Sequence, residues 1–321
     1  MRRADEQRKG AGVSHQGVEA ISAFLAESRM TTGSIVEQRA AMAEVATATP
    51  PPDGVAAEPV TLGGRNAEWL SAEGADGDAV VLYLHGGGYC IGSLDTHRPL
   101  AGRIAVAAGC PVVTLDYRLG PEHPFPAAVT DAVAAYADLL ALGTRPERIA
   151  IAGDSAGGGL TMAALLAIRA AGSPLPGAAV CLSPWVDLTQ TAPSYERNAD
   201  VDPMVSRAGL DLMAQAYLGE TDPRSELASP LFAGDLGGLP PVLIEVGDRE
   251  VLLDDATRLA DGIRAAAGSV TLTVWPELIH VFQAFPGALI PEADRSIAAV
   301  GSFLSTRLCP SDAPVDGPPG T

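Results

Sequence analysis

The 321-residue sequence contains no run of about 18 or more apolar residues, the length that a membrane-spanning helix needs. Its N-terminal stretch, MRRADEQRKG, is charged and lacks the apolar core of a secretory signal, so we expect a cytoplasmic protein without stable membrane association. Basic residues are scarce, since 21 Lys and Arg stand against 39 Asp and Glu, for a formal charge of −18. A surface this acidic repels nucleic acid and anionic lipid, so neither is an expected partner.

Patterns for disulfides, metals and phosphates are missing as well. The four cysteines form no CxxC pair and no Cys/His cluster, so the sequence indicates neither a disulfide framework nor a zinc site. No GxxxxGK[ST] is present, and no GxGxxG opens a helix, which argues against a phosphate-binding loop. The sequence therefore gives no reason to expect a metal.

What the sequence does contain is a regular alternation of strand-like and helix-like segments. The predicted strands are 79–84, 111–115, 148–152, 178–182, 241–246 and 270–275. The predicted helices are 101–108, 127–142, 157–171, 254–267 and 290–307. Because the strands are apolar on both faces, this order predicts an α/β fold in which helices cover a mostly parallel sheet.

Some stretches lie outside this alternation. Residues 1–50 are predicted to form N-terminal helices that end at a polyproline run, and residues 189–227 to form a polar, helical insertion. We expect both to cap the carboxyl edge of the sheet, with residues 51–309 as the catalytic domain. The tail, residues 310–321, is rich in Pro, Gly and Asp and is expected to be disordered.

A Gly-x-Ser-x-Gly pattern at residues 153–157 lies between a predicted strand and a predicted helix. Such a sharp turn strains the serine backbone, and small neighbours relieve the crowding, so that the Ser155 hydroxyl stands clear as a nucleophile. The helix N-terminus behind the serine favours developing negative charge. The pattern alone is equally typical of a glycine-rich capping turn, so the companion motifs decide its interpretation.

A His-Gly-Gly-Gly segment directly follows the first predicted strand. Consecutive glycines leave backbone N–H groups unshielded, and each such donor aimed at an oxyanion is worth about 3–4 kcal/mol in the transition state. We predict that Gly87 and Gly88 form an oxyanion hole completed by Ala156, with Gly86 as an alternative donor. His85 is expected to brace the loop by hydrogen bonding.

Of the five histidines, His280 alone follows the serine in the chain. The order serine, acid, histidine is the one used by hydrolases that carry this strand–turn–helix nucleophile. His280 is therefore the candidate general base, which takes the serine proton and later gives it to the leaving alcohol. A packed histidine between two apolar neighbours is the competing interpretation.

The acidic partner is less clear, because four carboxylates follow the strand at 241–246. Asp254 and Asp255 are expected to begin the next helix as N-terminal charges. Asp248 and Glu250 remain, and either could orient the imidazole and stabilise the imidazolium. The residues by themselves do not choose between these two.

Together the motifs resemble the bacterial hormone-sensitive-lipase-like esterases, also called family IV carboxylesterases. The resemblance covers about residues 60–305 and rests on HGGG, DYRLGPEHPFP, GDSAG, SPWVD and His280. It implies an α/β-hydrolase core under a helical cap and hydrolysis of small acyl esters without a cofactor. Homodimers are common in that family, so a homodimer is a further expectation.

The resemblance also bears on the acid. Many family members carry D-P-L-x-D-E after the corresponding strand, and its first Asp is the triad acid. Laid on this sequence, the pattern places Glu250 at the acid position and Asp254 four residues later. Some members use glutamate there, so the predicted acid is Glu250, with Asp248 as the rival.

The DYRLGPEHPFP stretch carries its own expectation. Its charged residues Asp116, Arg118 and Glu122 are predicted to form a buried brace that fixes the loop beside the active site. The expected role of this brace is structural, and it takes no part in the chemistry.

The predicted function is a serine carboxylesterase that hydrolyses short- to medium-chain acyl esters of small molecules through an acyl-enzyme. One alternative is a deacetylase that acts on an acetylated natural product or an N-acetyl amide. A second alternative, of another class, is a non-catalytic ligand-binding protein on the same fold. Plant gibberellin receptors are of that kind, but they lack the histidine that is present here.

Overall fold

The structure is a computed structural model, and it describes residues 15–25, 27, 33–48 and 51–309. Within these residues one eight-stranded sheet has the order β1-β2-β4-β3-β5-β6-β7-β8. Its strands are β1 (Val55–Leu62), β2 (Arg65–Ala72), β3 (Val80–Leu84), β4 (Val112–Leu115), β5 (Ile149–Asp154), β6 (Ala178–Leu182), β7 (Val242–Gly247) and β8 (Val270–Trp275). β3 to β8 pair in parallel, whereas β2 runs antiparallel to β1 and β4. The predicted α/β architecture is confirmed.

Helices cover both faces of the sheet. They are α1 (15–25), α2 (Ile35–Ala48), α3 (Leu94–Ala108), α4 (Ala127–Ala141), α5 (Ala156–Ala170), α6 (Ser194–Arg197), α7 (Arg207–Leu218), α8 (Leu253–Ala265) and α9 (Pro291–Leu308). One core layer packs α4, α5 and α8 against the sheet, and the other packs α3 and α9 against the opposite face. Side chains of β3 alternate between the layers, which explains why that strand is apolar throughout.

The first hairpin and helix α3 differ from the sequence prediction. The β1–β2 hairpin was not predicted, because most β1 residues are exposed and the segment contains Pro59, which is typical of an edge strand. Helix α3 begins at Leu94, seven residues before its predicted start at residue 101. Its start is set by a capping box between Ser93 and Thr96, and the helix continues through Pro99.

Helical elements occur in both segments that were predicted to form a cap. Helices α6 and α7 fall inside residues 189–227, and α1 packs its apolar residues on the segment that follows β8. The predicted tail at 310–321 lies outside the described residues, as do residues 1–14. No helix in the described part of the chain is long and apolar enough to cross a membrane.

Candidate active site

Ser155 stands at the sharp turn between β5 and α5, as the sequence predicts. Its backbone has φ 53° and ψ −122°, a left-handed conformation that is strained for a residue with a side chain. The flanking glycines are required by space: a Cβ at Gly153 would overlap the carbonyl of Gly157, and one at Gly157 would overlap the carbonyl of Leu84. Ser155 is 9% exposed and lines the main cavity.

Backbone hydrogen bonds hold this turn in place. The Ser155 amide donates to the Leu182 carbonyl at the end of β6, over 2.8 Å. The Ser155 carbonyl accepts from the amides of Gly159 and Trp185, at 3.1 and 3.0 Å. Because both backbone groups are satisfied, the strained conformation is fixed by its surroundings, and the hydroxyl is presented to the cavity.

The predicted oxyanion donors lie beside the serine. Gly87 and Gly88 have φ of 112° and 58°, line the same cavity as Ser155, and follow β3, which pairs with β5. Within the described part of the chain, the amides of Gly87, Gly88 and Ala156 have no protein acceptor. Unpaired N–H groups at a helix start and in a glycine loop are suited to bind an oxyanion.

The alternative donor, Gly86, is unavailable. Its amide already donates to Asp154 Oδ1 at 3.1 Å and to His97 Nε2 at 3.2 Å, so Gly86 is not an oxyanion donor. The neighbouring His85 is buried, stacks on Tyr117 with ring centroids 4.3 Å apart, and places Nδ1 2.7 Å from the Gly86 carbonyl. Burial lowers the pKa of His85 to about 3, so this ring stays neutral and braces the loop.

His280 lies on the loop after β8, lines the same cavity as Ser155, and is 4% exposed. Its Nδ1 is 2.8 Å from Glu250 Oε2. Burial alone would lower the pKa of His280, but the hydrogen bond and charge of Glu250, with the charges of Asp202 and Asp154, raise it above its usual value of 6.5. The carboxylate therefore stabilises the imidazolium, which is what a base in acyl transfer requires.

Glu250 is fully buried and is held by further hydrogen bonds. Its Oε1 accepts from the Ser183 hydroxyl at 2.7 Å and from the Gly247 amide at 2.5 Å, and its carbonyl accepts from Asn198 Nδ2 at 2.6 Å. The Ser183 hydroxyl in turn accepts from the Val281 amide at 3.1 Å, which ties the histidine loop to the same network. No role was predicted for Ser183 or Asn198 from the sequence. Ser183 is the first residue of the SPWVD motif, which served only to support the family resemblance.

Asp248, the rival acid, is not brought to the histidine. Its Oδ1 accepts from the Glu277 amide at 2.7 Å, and its side chain is part-exposed. The carboxylate of Glu250, two residues later, is the one that meets His280. A turn between β7 and α8 thus sends the two side chains in different directions, a geometry that the sequence alone does not reveal.

The cavity above these residues has a volume of about 420 Å³ and is largely apolar. Helices α1, α2 and α7 supply much of its lining, through residues such as Ile21, Phe24, Met42, Leu210 and Met213. Among the described lining residues there is one carboxylate, Asp154, and there is no Lys or Arg. Such a cavity fits an apolar, uncharged group attached to the reacting carbonyl.

The brace predicted for the DYRLGPEHPFP stretch is not buried, because Asp116 and Arg118 are partly exposed and Glu122 is exposed. Arg118 pairs with Asp131 of α4, with Nη2 2.6 Å from Oδ1. The Glu122 side chain is 54% exposed and pairs with Arg39 of α2 at 2.8 Å. Asp116 uses its backbone instead, because its amide donates to Asn66. The stretch therefore links the sheet to α4 and α2 through separate ion pairs.

Comparison with known proteins places this chain among ester hydrolases. A family model described as the alpha/beta hydrolase fold matches residues 81–284. An acetyl-hydrolase of Streptomyces hygroscopicus is 50% identical over 77% of this chain and 82% of that protein, and an esterase of Acinetobacter venetianus is 34% identical over 77% and 81%. The crystal structure of an esterase from the bacterial hormone-sensitive lipase family superposes with a TM-score of 0.87, at 46% identity over 91% of this chain and 98% of that one.

Proposed function

The chain belongs to the bacterial hormone-sensitive-lipase-like carboxylesterases of the α/β-hydrolase fold, and we propose that Ser155, His280 and Glu250 are its catalytic triad. It is a carboxylic ester hydrolase; the proposal concerns which residues act and on which esters. The observation that carries it is the 2.8 Å contact between His280 Nδ1 and the buried Glu250 carboxylate, in a cavity that also holds Ser155.

The reaction proceeds in two steps on this assignment. His280 takes the proton of Ser155 as the serine oxygen attacks the ester carbonyl, and the amides of Gly87, Gly88 and Ala156 stabilise the oxyanion. The imidazolium then protonates the leaving alcohol, and the acyl group remains on the serine. Water, deprotonated by the same imidazole, releases the acid and restores the free enzyme.

The substrate is proposed to be an ester with a short or medium acyl chain. A cavity of about 420 Å³ roofed by helices holds a small apolar group, and the near absence of charge in its described lining disfavours ionic substrates. Met213 limits the space directly at the oxyanion loop, because its sulfur occupies the place where a Cβ of Gly88 would lie.

Deacetylation of a natural product is the second candidate. Its support is the name of the acetyl-hydrolase from Streptomyces hygroscopicus, which is 50% identical to this chain over 247 residues. The same triad and oxyanion amides serve this reaction, so the difference lies in the leaving group. The leaving group of an acetylated alcohol is the alcohol, whereas the leaving group of an N-acetyl compound is a more basic amine that must be protonated as it leaves.

A panel of p-nitrophenyl esters from acetate to palmitate tests the proposal, with Ser155→Ala as the inactive control. We expect turnover to be highest for short or medium acyl chains and to be absent in Ser155→Ala. A parallel panel of acetylated alcohols and acetylated amines separates the two candidates. A well-folded wild-type protein without activity on any of these compounds would contradict the triad assignment and favour a non-catalytic binder.

We also propose a cytoplasmic location. A homodimer stays a prediction of the family resemblance, and light scattering of the purified protein measures it directly. The strongly acidic balance of 39 acidic to 21 basic residues supports a small-molecule substrate over nucleic acid as partner.

A further inference from the structure

The oxyanion donors come from two separate segments, and one hydrogen bond joins these segments directly. Gly87 and Gly88 belong to the loop after β3, whereas Ala156 opens α5. The Gly86 amide donates to Asp154 Oδ1 at 3.1 Å, and Asp154 immediately precedes the nucleophile. The alignment of the two sets of donors therefore depends on how well this contact is held.

Asp154 is well placed to hold the loop. It is 3% exposed, its Oδ1 accepts from the Tyr83 hydroxyl at 2.7 Å, and a Cβ at Gly86 would overlap its carboxylate. This buried carboxylate therefore lies directly against the oxyanion loop.

His97 lies beside the same Gly86 amide, and the place of its ring hydrogen follows from its neighbours. Thr96 Oγ1 donates its only hydrogen to the Ser93 carbonyl at 2.9 Å, so it can only accept from His97 Nδ1 at 2.7 Å. Nδ1 of His97 therefore carries a hydrogen, and Nε2 accepts from the Gly86 amide. Nε2, on the far side of the ring, lies 3.2 Å from the Gly86 nitrogen and 3.4 Å from Asp154 Oδ2.

We infer that His97 is a positioning residue: its Nε2 holds the Gly86 amide against Asp154, so that the next two amides stay aimed at the oxygen of the reacting carbonyl. The inference rests on the proposed role of Ser155 and of those amides. The capping box of α3 fixes Thr96, Thr96 fixes the imidazole, and the imidazole fixes the loop. A misaimed oxyanion hole weakens transition-state binding more than substrate binding, so kcat should respond more than KM.

Two variants of His97 separate positioning from packing. The amide of a glutamine reaches the place of Nε2, whereas the amide of an asparagine reaches only the place of Nδ1. We expect His97→Asn to lower kcat about 10- to 100-fold, less than the full loss of a donor, with KM nearly unchanged. His97→Gln should recover most of the loss. Thermal unfolding of both variants checks that they are folded.

A trifluoromethyl ketone gives the second measurement, because its adduct with the serine carries an oxyanion. Its inhibition constant should rise in His97→Asn by the same factor by which kcat/KM falls. The inference is overturned if His97→Asn keeps full kcat, if the Gln and Asn variants are equally impaired, or if affinity for the ketone does not change.

Two further comparisons keep the inference testable. If His97→Asn does not fold, Thr96→Val removes the acceptor that fixes the ring and Thr96→Ser keeps it, and only the former should slow turnover. If wild type hydrolyses no ester, the proposed function fails, but the labelling rate of Ser155 by a fluorophosphonate still measures the oxyanion hole. Slower labelling in His97→Asn than in His97→Gln would support the inference, and equal rates would refute it.

Discussion

The floor and the roof of the cavity are held by different forces. The floor consists of the loops after β3, β5, β7 and β8, and its polar groups are fixed by short hydrogen bonds such as Glu250 to His280 at 2.8 Å. The roof consists of α1, α2 and α7, which line the cavity with apolar side chains. A hydrogen bond fixes the direction in which a polar group points, whereas apolar contacts mainly fix the volume of the cavity.

This difference separates chemistry from substrate choice. A change in the floor should alter kcat for every substrate, because it acts on groups that stabilise the transition state. A change in the roof should alter the ranking of substrates and leave the chemistry intact. Substitutions in the floor and in the roof can test that division.

Glu250→Gln should disable the catalytic groups on the floor of the cavity. The neutral amide no longer stabilises the imidazolium or fixes its tautomer, so kcat should fall about 10³- to 10⁴-fold on all esters. The matched control is Asp248→Asn, two residues earlier, which should stay within about twofold of wild type because the Asp248 side chain accepts from the Glu277 amide and does not meet His280. Steady-state kinetics on p-nitrophenyl butyrate compares the two. An equal loss in both variants would contradict the assignment of Glu250.

The pH profile tests the same carboxylate through its charge. His280 must be neutral to act as a base, and its pKa is raised above 6.5, so kcat/KM should fall about tenfold per pH unit below a midpoint above 6.5. In Glu250→Gln the midpoint should move to lower pH, since the negative partner is gone. A midpoint that did not move would show that another group controls the acid limb.

Met213→Ala should change the roof alone. Removing the side chain that covers Gly88 enlarges the cavity beside the oxyanion loop. We expect the ratio of kcat/KM for octanoate over acetate to rise by about tenfold, with acetate itself little changed. Leu212→Ala, on the neighbouring and 40% exposed residue of α7, is the matched control. An equal fall on every chain length would mean that Met213 belongs to the floor.

Asp255→Asn should affect stability and leave the reaction alone. Burial raises the pKa of Asp255 to about 8, so in the folded state it stays protonated over a range where the unfolded chain is ionised. The protonated Asp255 therefore contributes fully to stability below its unfolded pKa of about 3.9. Between that pH and about 8, the free energy of unfolding falls by at most about 1.4 kcal/mol for each pH unit. In urea unfolding, the free energy of unfolding of the variant should rise relative to that of wild type from about pH 5 to 8. A constant difference across that range would contradict the raised pKa.

The sequence predicts the floor better than the roof. Strands β6 and β8 agree with prediction at both ends, and the Gly-x-Ser-x-Gly turn is located correctly, because short segments with strict backbone needs carry their own signal. The choice between Asp248 and Glu250 depends on side-chain direction in a turn, which periodicity does not encode. The family pattern supplied it.

The roof is harder because its parts are distant in the chain. The cavity wall combines Phe24, Met42, Met213 and Leu289, and nothing local in the sequence marks these residues as neighbours. His97 was likewise missed, since its importance depends on a contact with Gly86 across the fold. The capping box that positions it was in the sequence, but at a helix start that the apolar pattern placed too late.

A nucleophilic Ser155 is acylated during turnover, and that acyl-enzyme can be trapped. Wild-type protein mixed with p-nitrophenyl butyrate and quenched in acid within the first turnovers should carry one butyryl group on the peptide that contains Ser155. Ser155→Ala should carry none. A butyryl group on a different residue, or none at all in protein that is turning over the ester, would contradict the account.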